Sequence, residues 1–171
     1  MSKMPPKAPG RSDIFQTPAY AVRYLTPFIP KAWKIWESAC GQNQIVDTLR
    51  EDGYHVTGTD ISTGFDFIEP MAAIGMDFDC VLTNPPYSIK DKWLARCYDL
   101  AKPFALLLPI TALGEQGRVA MYRKHGIQLV LPPERIMFKS PNGTEDGTWF
   151  YAAWFCHGLD LPSQITFAGD A

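Results

Sequence analysis

Short apolar runs alternating with amphipathic stretches constrain this chain more than any other feature. Trp33 to Glu37, His55 to Ile61, Asp79 to Thr83, Phe104 to Pro109 and Ile127 to Leu131 each span five to seven residues, the length of a buried strand. Between them, Ile45 to Glu51 has helical spacing and stops at Gly53, Ser88 to Ala101 carries Leu94, Cys97, Tyr98 and Ala101 along one stripe, and Glu115 to Lys124 reads as a third helix. Ahead of the first run, Pro18 can open a short helix with Tyr20, Ala21, Tyr24 and Leu25 on one face, ended by Pro27. Thr148 to Cys156 reads as a last strand, preceded by the polar, glycine-containing loop Lys139 to Gly147. Strand and helix in alternation predict an α/β fold, with a mostly parallel sheet covered by helices on both faces. In such a sheet ligands sit in the crevice at the carboxyl ends of the strands. The residues that follow strands are therefore the candidates for function.

A length of 171 residues with 46% hydrophobic content suits one compact domain, expected over 13–171, and the proline-rich residues 1–12 read as a disordered arm. The chain has neither a run of about 20 apolar residues nor the apolar core of a signal peptide. A cytoplasmic protein with no membrane partner is the expectation. Cys40, Cys80, Cys97 and Cys156 are scattered in apolar surroundings without a C-x-x-C pair, which predicts buried free thiols and no metal site. The formal charge of −2 argues against an extended nucleic-acid surface, so any basic face must be local.

Asn84-Pro85-Pro86-Tyr87 closes the third apolar run. Both prolines lack an N–H, and each pushes the residue before it toward an extended backbone. The side-chain oxygen of Asn84 and the carbonyl of Pro85 can then accept both hydrogens of one exocyclic amine, while the ring of Tyr87 offers a face for a planar base. Lys90, Lys92 and Arg96 follow and can meet phosphates or form a solvated helix face. His55, His125 and His157 read as structural.

The earlier strand ends describe a nucleoside site. Glu37 ends the first strand, and the turn Ala39-Cys40-Gly41 lets backbone approach a ligand closely. Asp60 ends the second, where its two oxygens can accept from ribose hydroxyls or cap a helix. Asp66, between Phe65 and Phe67, can accept from an adenine amine while an aromatic ring or Ile61 packs on the adenine face.

In order and spacing these residues resemble the S-adenosylmethionine-dependent amino-methyltransferases, most closely the DNA N6-adenine methyltransferases, including small forms carried by phages and mobile elements. The resemblance covers residues 13–110. It implies a Rossmann-like class I methyltransferase: a mostly parallel seven-stranded sheet with an antiparallel last strand. It also implies that Glu37, Ala39 and Gly41 bind the methionine part of S-adenosylmethionine, that Asp60 holds the ribose, and that Asp66 and Phe67, with Ile61, contact the adenine. Gln16-Thr17-Pro18 would lie against the cofactor, and S-adenosylhomocysteine would be the product. Two positions depart from the pattern, Ser38 where proline is common and Asn43 where a second glycine is usual. Asn tolerates a left-handed backbone better than most residues.

The implied reaction is methylation of the N6 amine of adenine in DNA, with the base flipped out of the duplex. The same tetrapeptide occurs in enzymes acting on RNA adenine, cytosine N4 or a protein glutamine amide, and an inactive methyltransferase-like binding subunit is a further alternative. No separate sequence-reading domain is expected within these 171 residues. Selection is left to short loops such as Lys139 to Gly147, to a homodimer or partner subunit, or is hardly made at all, as in a relaxed-specificity enzyme.

Overall fold

The computed structural model describes residues 15–139 and 150–169. The expected arm at residues 1–12 and most of the loop from Lys139 to Gly147 lie outside the described residues. Seven strands form one sheet: β1 (Lys34–Glu37), β2 (His55–Gly58), β3 (Cys80–Thr83), β4 (Phe104–Pro109), β5 (Gln128–Leu131), β6 (Ala152–His157) and β7 (Ile165–Phe167). Their order is β2-β1-β3-β4-β6-β5-β7. β1, β2, β3 and β4 pair in parallel, as do β5 and β7, and β6 runs antiparallel between β4 and β5. The helices are α1 (Ala19–Arg23), α2 (Gln44–Glu51), α3 (Lys90–Asp99) and α4 (Gln116–His125). No helix among the described residues is long and apolar enough to cross a membrane.

The near-continuous apolar strands follow from burial on both faces. Ile35, Leu82, Ala105, Leu107 and Trp154 pack with α1 and α2 through Ala21, Val22, Ile45 and Leu49. Trp36, Val81, Leu106 and Phe155 face the other way, against Trp93, Leu94 and Cys97 of α3. Trp154 ties α1 to the sheet by donating its indole N–H to the Ala21 carbonyl at 2.8 Å. At Gly58 of β2 a Cβ would lie 2.9 Å from Val46 Cγ2 and 3.2 Å from Cys40 Cβ, so glycine is what lets α2 sit against that strand.

Two boundaries and one strand differ from the sequence expectation. The second strand stops at Gly58, because Asp60 caps a 3-10 turn that begins at Ile61. The helix expected over Ser88 to Ala101, α3, starts at Lys90, after a 3-10 turn over Tyr87–Ile89. β7 follows the expected last strand. Its pattern hides it, since Thr166 points inward at 6% exposure while Ile165 and Phe167 are 50% and 63% exposed. Cys80, Cys97 and Cys156 are buried free thiols, whereas Cys40 is half-buried in the turn after β1.

Candidate functional site

β1 and β3 are neighbours, so Glu37 and Thr83 end side by side at the carboxyl edge of the sheet. Both are fully buried. The Thr83 hydroxyl donates to Glu37 Oε1, which also accepts the Ala39 N–H at 3.2 Å, while Oε2 has no hydrogen-bond partner. Burial pushes the Glu37 carboxyl up to about 8, against the pull of these two donors and helped by the charge of Asp60. An enclosed carboxyl with one unanswered oxygen suits a cationic group, whose arrival would restore the ionised form.

The turn after β1 takes the shape that Asn43 permits. Gly41 and Asn43 both have left-handed backbones, at φ 48° and 64°, and Asn43 is the residue immediately before α2, with no side-chain capping hydrogen bond. Asn thus does the conformational work of the second glycine that the resemblance led us to expect. The Gly41 N–H donates to Asp60 Oδ2 at 2.9 Å, joining the turn to the end of β2. Asp60 Oδ1 accepts from the Ser62 N–H at 2.8 Å and the Ser62 hydroxyl at 2.6 Å. Partial burial raises the Asp60 carboxyl, but the donors at Ser62 and Gly41 outweigh it and hold the group below its ordinary range. A carboxylate offers about four acceptor positions, and three are occupied. A ribose diol would therefore take the free position and displace the Ser62 hydroxyl from another.

Asp66 is capped as well, its Oδ1 accepting the Ile68 N–H at 3.0 Å. Phe67 is 1% exposed and stacks on Trp93 at 4.3 Å between ring centres, so its ring belongs to the core and only its backbone can meet a ligand. Ile61, at 64% exposure, is the apolar side chain open beside Asp60. Gln16 pairs with Lys139 through two backbone hydrogen bonds of 2.9 and 3.1 Å, and its amide lies beside Gly41. A cleft of about 360 Å3 lined by Gln16, Thr17, Pro18, Tyr20, Gln44 and Lys139 runs between this segment and the start of α2.

Asn84 differs from other polar side chains in the connections that follow strands. Asp60, Asp66 and Glu115 each have a side-chain oxygen capped by the N–H two residues on. Two residues after Asn84 stands Pro86, which has no N–H to give. Asn84 Oδ1 is accordingly buried without a hydrogen bond, while Nδ2 donates to Thr17 Oγ1 at 3.1 Å. An acceptor costly to leave unanswered is held at the carboxyl end of β3. Pro85 is buried behind it, and the Pro86 carbonyl is taken by the Ile89 N–H at 3.2 Å. The half-buried ring of Tyr87 lies 6.2 Å from Phe15 and meets Phe150 edge-on at 5.6 Å. Phe138 packs against both of those rings.

Two of the three cations after the motif have other work. Lys90 Nζ donates to the Tyr87 carbonyl at 3.2 Å, and Arg96 donates to the Pro70 carbonyl at 2.9 Å. Lys92 is exposed. His55, His125 and His157 lie toward the amino-terminal edge of the parallel strands, remote from Asn84, with His125 stacked on Tyr98 at 4.6 Å. Arg118 was not singled out from the sequence, yet it is 8% exposed and clamps the segment after β4. It donates to the carbonyls of Ala112 (2.8 Å) and Gly114 (2.7 Å) and to Asp91 of α3 (2.6 Å). No sequence signal separates such an arginine from a solvated one on a helix. Likewise, the aromatic group of Phe15, Phe138 and Phe150 around Tyr87 exists only once distant segments meet.

A mostly parallel seven-stranded sheet with one antiparallel strand, β6, and helices on both faces is a Rossmann-like fold of the class I methyltransferase kind. Among solved structures, the chain is similar to a modification subunit assigned to a type I restriction enzyme from Vibrio vulnificus, with a TM-score of 0.55 at 15% identity. The match covers 92% of this chain and 46% of that one, so the chain spans about half of that relative's length. A TehB-like SAM-dependent methyltransferase from Corynebacterium glutamicum aligns with a TM-score of 0.43 at 15% identity, over 80% of this chain and 85% of that one. A dimethyladenosine transferase from Plasmodium falciparum aligns with a TM-score of 0.43 at 11% identity, over 84% and 62%. Scans against protein-family models and against curated protein sequences return no match.

Proposed function

We propose that this chain transfers a methyl group from S-adenosylmethionine to the N6 amine of adenine in DNA. One observation carries the reading: Asn84 Oδ1 is a buried acceptor with no partner, held at the carboxyl end of β3 three residues ahead of Tyr87. The methyltransferase fold and the likeness to a restriction-modification subunit support it. The donor set also suits the cofactor. Glu37, with Ala39 and Gly41, would hold the methionine part, Asp60 the ribose, and Ile61, Asp66 and the backbone of Phe67 the adenine. Gln16, Thr17 and Pro18 would close that side. When bound, the cofactor supplies an electrophilic methyl group.

The chain's own residues answer the remaining difficulty. The lone pair of an adenine amine is delocalised into the ring, which makes the nitrogen a poor nucleophile. Asn84 Oδ1 and the Pro85 carbonyl, by accepting both N–H groups, draw electron density back to nitrogen and fix its orientation. Tyr87 stacks under the ring. After transfer the nitrogen is cationic and acidic, so its proton can leave to water without a strong base. Inside a duplex the amine is out of reach, and extruding the base costs a few kcal/mol. DNA is the proposed partner, with a second copy or a partner subunit supplying sequence choice.

Calorimetry should show S-adenosylmethionine binding that Asp60→Ala removes. Labelled methyl should pass to unmethylated DNA from the native chain and not from Asn84→Ala. Failure of the native chain to bind the cofactor would sink the proposal.

A further inference from the structure

The hydroxyl of Thr17 meets the amine-gripping residue. Thr17 is 2% exposed, and its Oγ1 accepts from Asn84 Nδ2 at 3.1 Å, across a separation of 67 residues in the chain. An asparagine amide has a donor end and an acceptor end that can exchange by a half-turn of the side chain. Only one arrangement presents an acceptor to a substrate amine. The flipped arrangement would set N–H against N–H.

Local backbone cannot make the choice, because Pro85 and Pro86 have no N–H with which to bind Oδ1. The amide is therefore held from outside its own strand. We infer that Thr17 is a positioning residue: with its own O–H turned away from the amide, its oxygen anchors Asn84 by the nitrogen end and so keeps Oδ1 turned to the substrate. This rests on the proposed function, and it gives Thr17 a task separate from any contact with the cofactor. The segment that carries Thr17 is itself fixed, by the backbone pairing of Gln16 with Lys139 and by α1, which starts two residues later. The anchor is thus a rigid element reaching over from the cleft to the end of β3.

The test compares Thr17→Val, which keeps the shape and loses the acceptor, with Thr17→Ser, which keeps the acceptor. Thr17→Ala serves if the valine variant fails to fold by circular dichroism. The chain has three asparagines, Asn43, Asn84 and Asn142, so selective 15N-asparagine labelling gives three side-chain amide pairs. Asn84→Ala assigns the relevant pair by its disappearance. In the native chain and in Thr17→Ser that pair should exchange slowly with solvent. In Thr17→Val or Thr17→Ala it should shift and exchange faster. At saturating cofactor, loss of this hydrogen bond should lower kcat by about five- to tenfold, and Thr17→Ser should restore most of it with the cofactor Kd unchanged. An Asn84 amide pair unaffected by Thr17→Val overturns the inference even if the chain methylates nothing, since that readout needs no activity. A weaker cofactor Kd with unchanged kcat also overturns it, leaving Thr17 a cofactor contact.

Discussion

Pro86 matters for the N–H it lacks, and replacing it makes that absence measurable. In Pro86→Ala the new N–H lies two residues after Asn84, the relation in which Ser62 caps Asp60 at 2.8 Å and Ile68 caps Asp66 at 3.0 Å. A hydrogen bond of this kind contributes about 0.5–1.5 kcal/mol net. It would compete with the substrate amine for Oδ1, and at about 1.4 kcal/mol per decade the methyl-transfer kcat should fall about two- to twelvefold. Stability should hardly move, because the loss of roughly 0.4–1 kcal/mol from a freer unfolded chain is offset by the new bond. The assay is methyl transfer to DNA at saturating cofactor, with a thermal melt of the same preparation. An unchanged kcat in a folded Pro86→Ala protein would refute the argument. So would a fall traced entirely to weaker cofactor binding.

Glu37 makes the stability of the ligand-free protein depend on pH. Its carboxyl is raised to about 8 in the folded chain, above the unfolded value near 4.5, so the folded state keeps a proton that the unfolded state releases between those limits. Stability contributed by this group is complete below about pH 4.5 and declines up to about pH 8, by as much as ~1.4 kcal/mol per pH unit. Denaturant titrations across that window should show the slope, and Glu37→Gln should flatten it. Arg118→Met removes the three donor nitrogens of the clamp on Ala112, Gly114 and Asp91, and should destabilise the fold by about 2–4 kcal/mol in a denaturant melt. A loss below about 0.5 kcal/mol would show that the clamp is dispensable.

The fold was legible because both faces of the sheet are buried, so Val81-Leu82 and Phe104 to Leu108 read as unbroken apolar runs whichever way each side chain points. β7 was not, since its one buried residue is a threonine flanked by exposed apolar ones, the reverse of the pattern that marks a half-buried strand. Among the candidate site residues, Glu37, Asp60 and Asn84 could be placed at the carboxyl edge of the sheet because chain position alone puts them at or just after strand ends. Their hydrogen bonds could not. The contact of Thr17 with Asn84 depends on how a short helix docks, the three donors on Asp60 depend on turn geometry, and Phe67 was placed near the adenine although its ring fills the core against Trp93. Two aromatics beside one carboxylate look alike in sequence. Packing alone separates Phe65, half-buried, from Phe67, wholly buried.

The identity of the methylated atom is the most direct test of the account. The native chain, incubated with labelled S-adenosylmethionine and in parallel with unmethylated DNA, RNA and a glutamine-containing protein acceptor, is followed by nucleoside and peptide mass spectrometry. N6-methyladenine in the DNA, absent with Asn84→Ala, is the predicted result. Label appearing only in cytosine N4, RNA or protein, or in no acceptor at all, would contradict it.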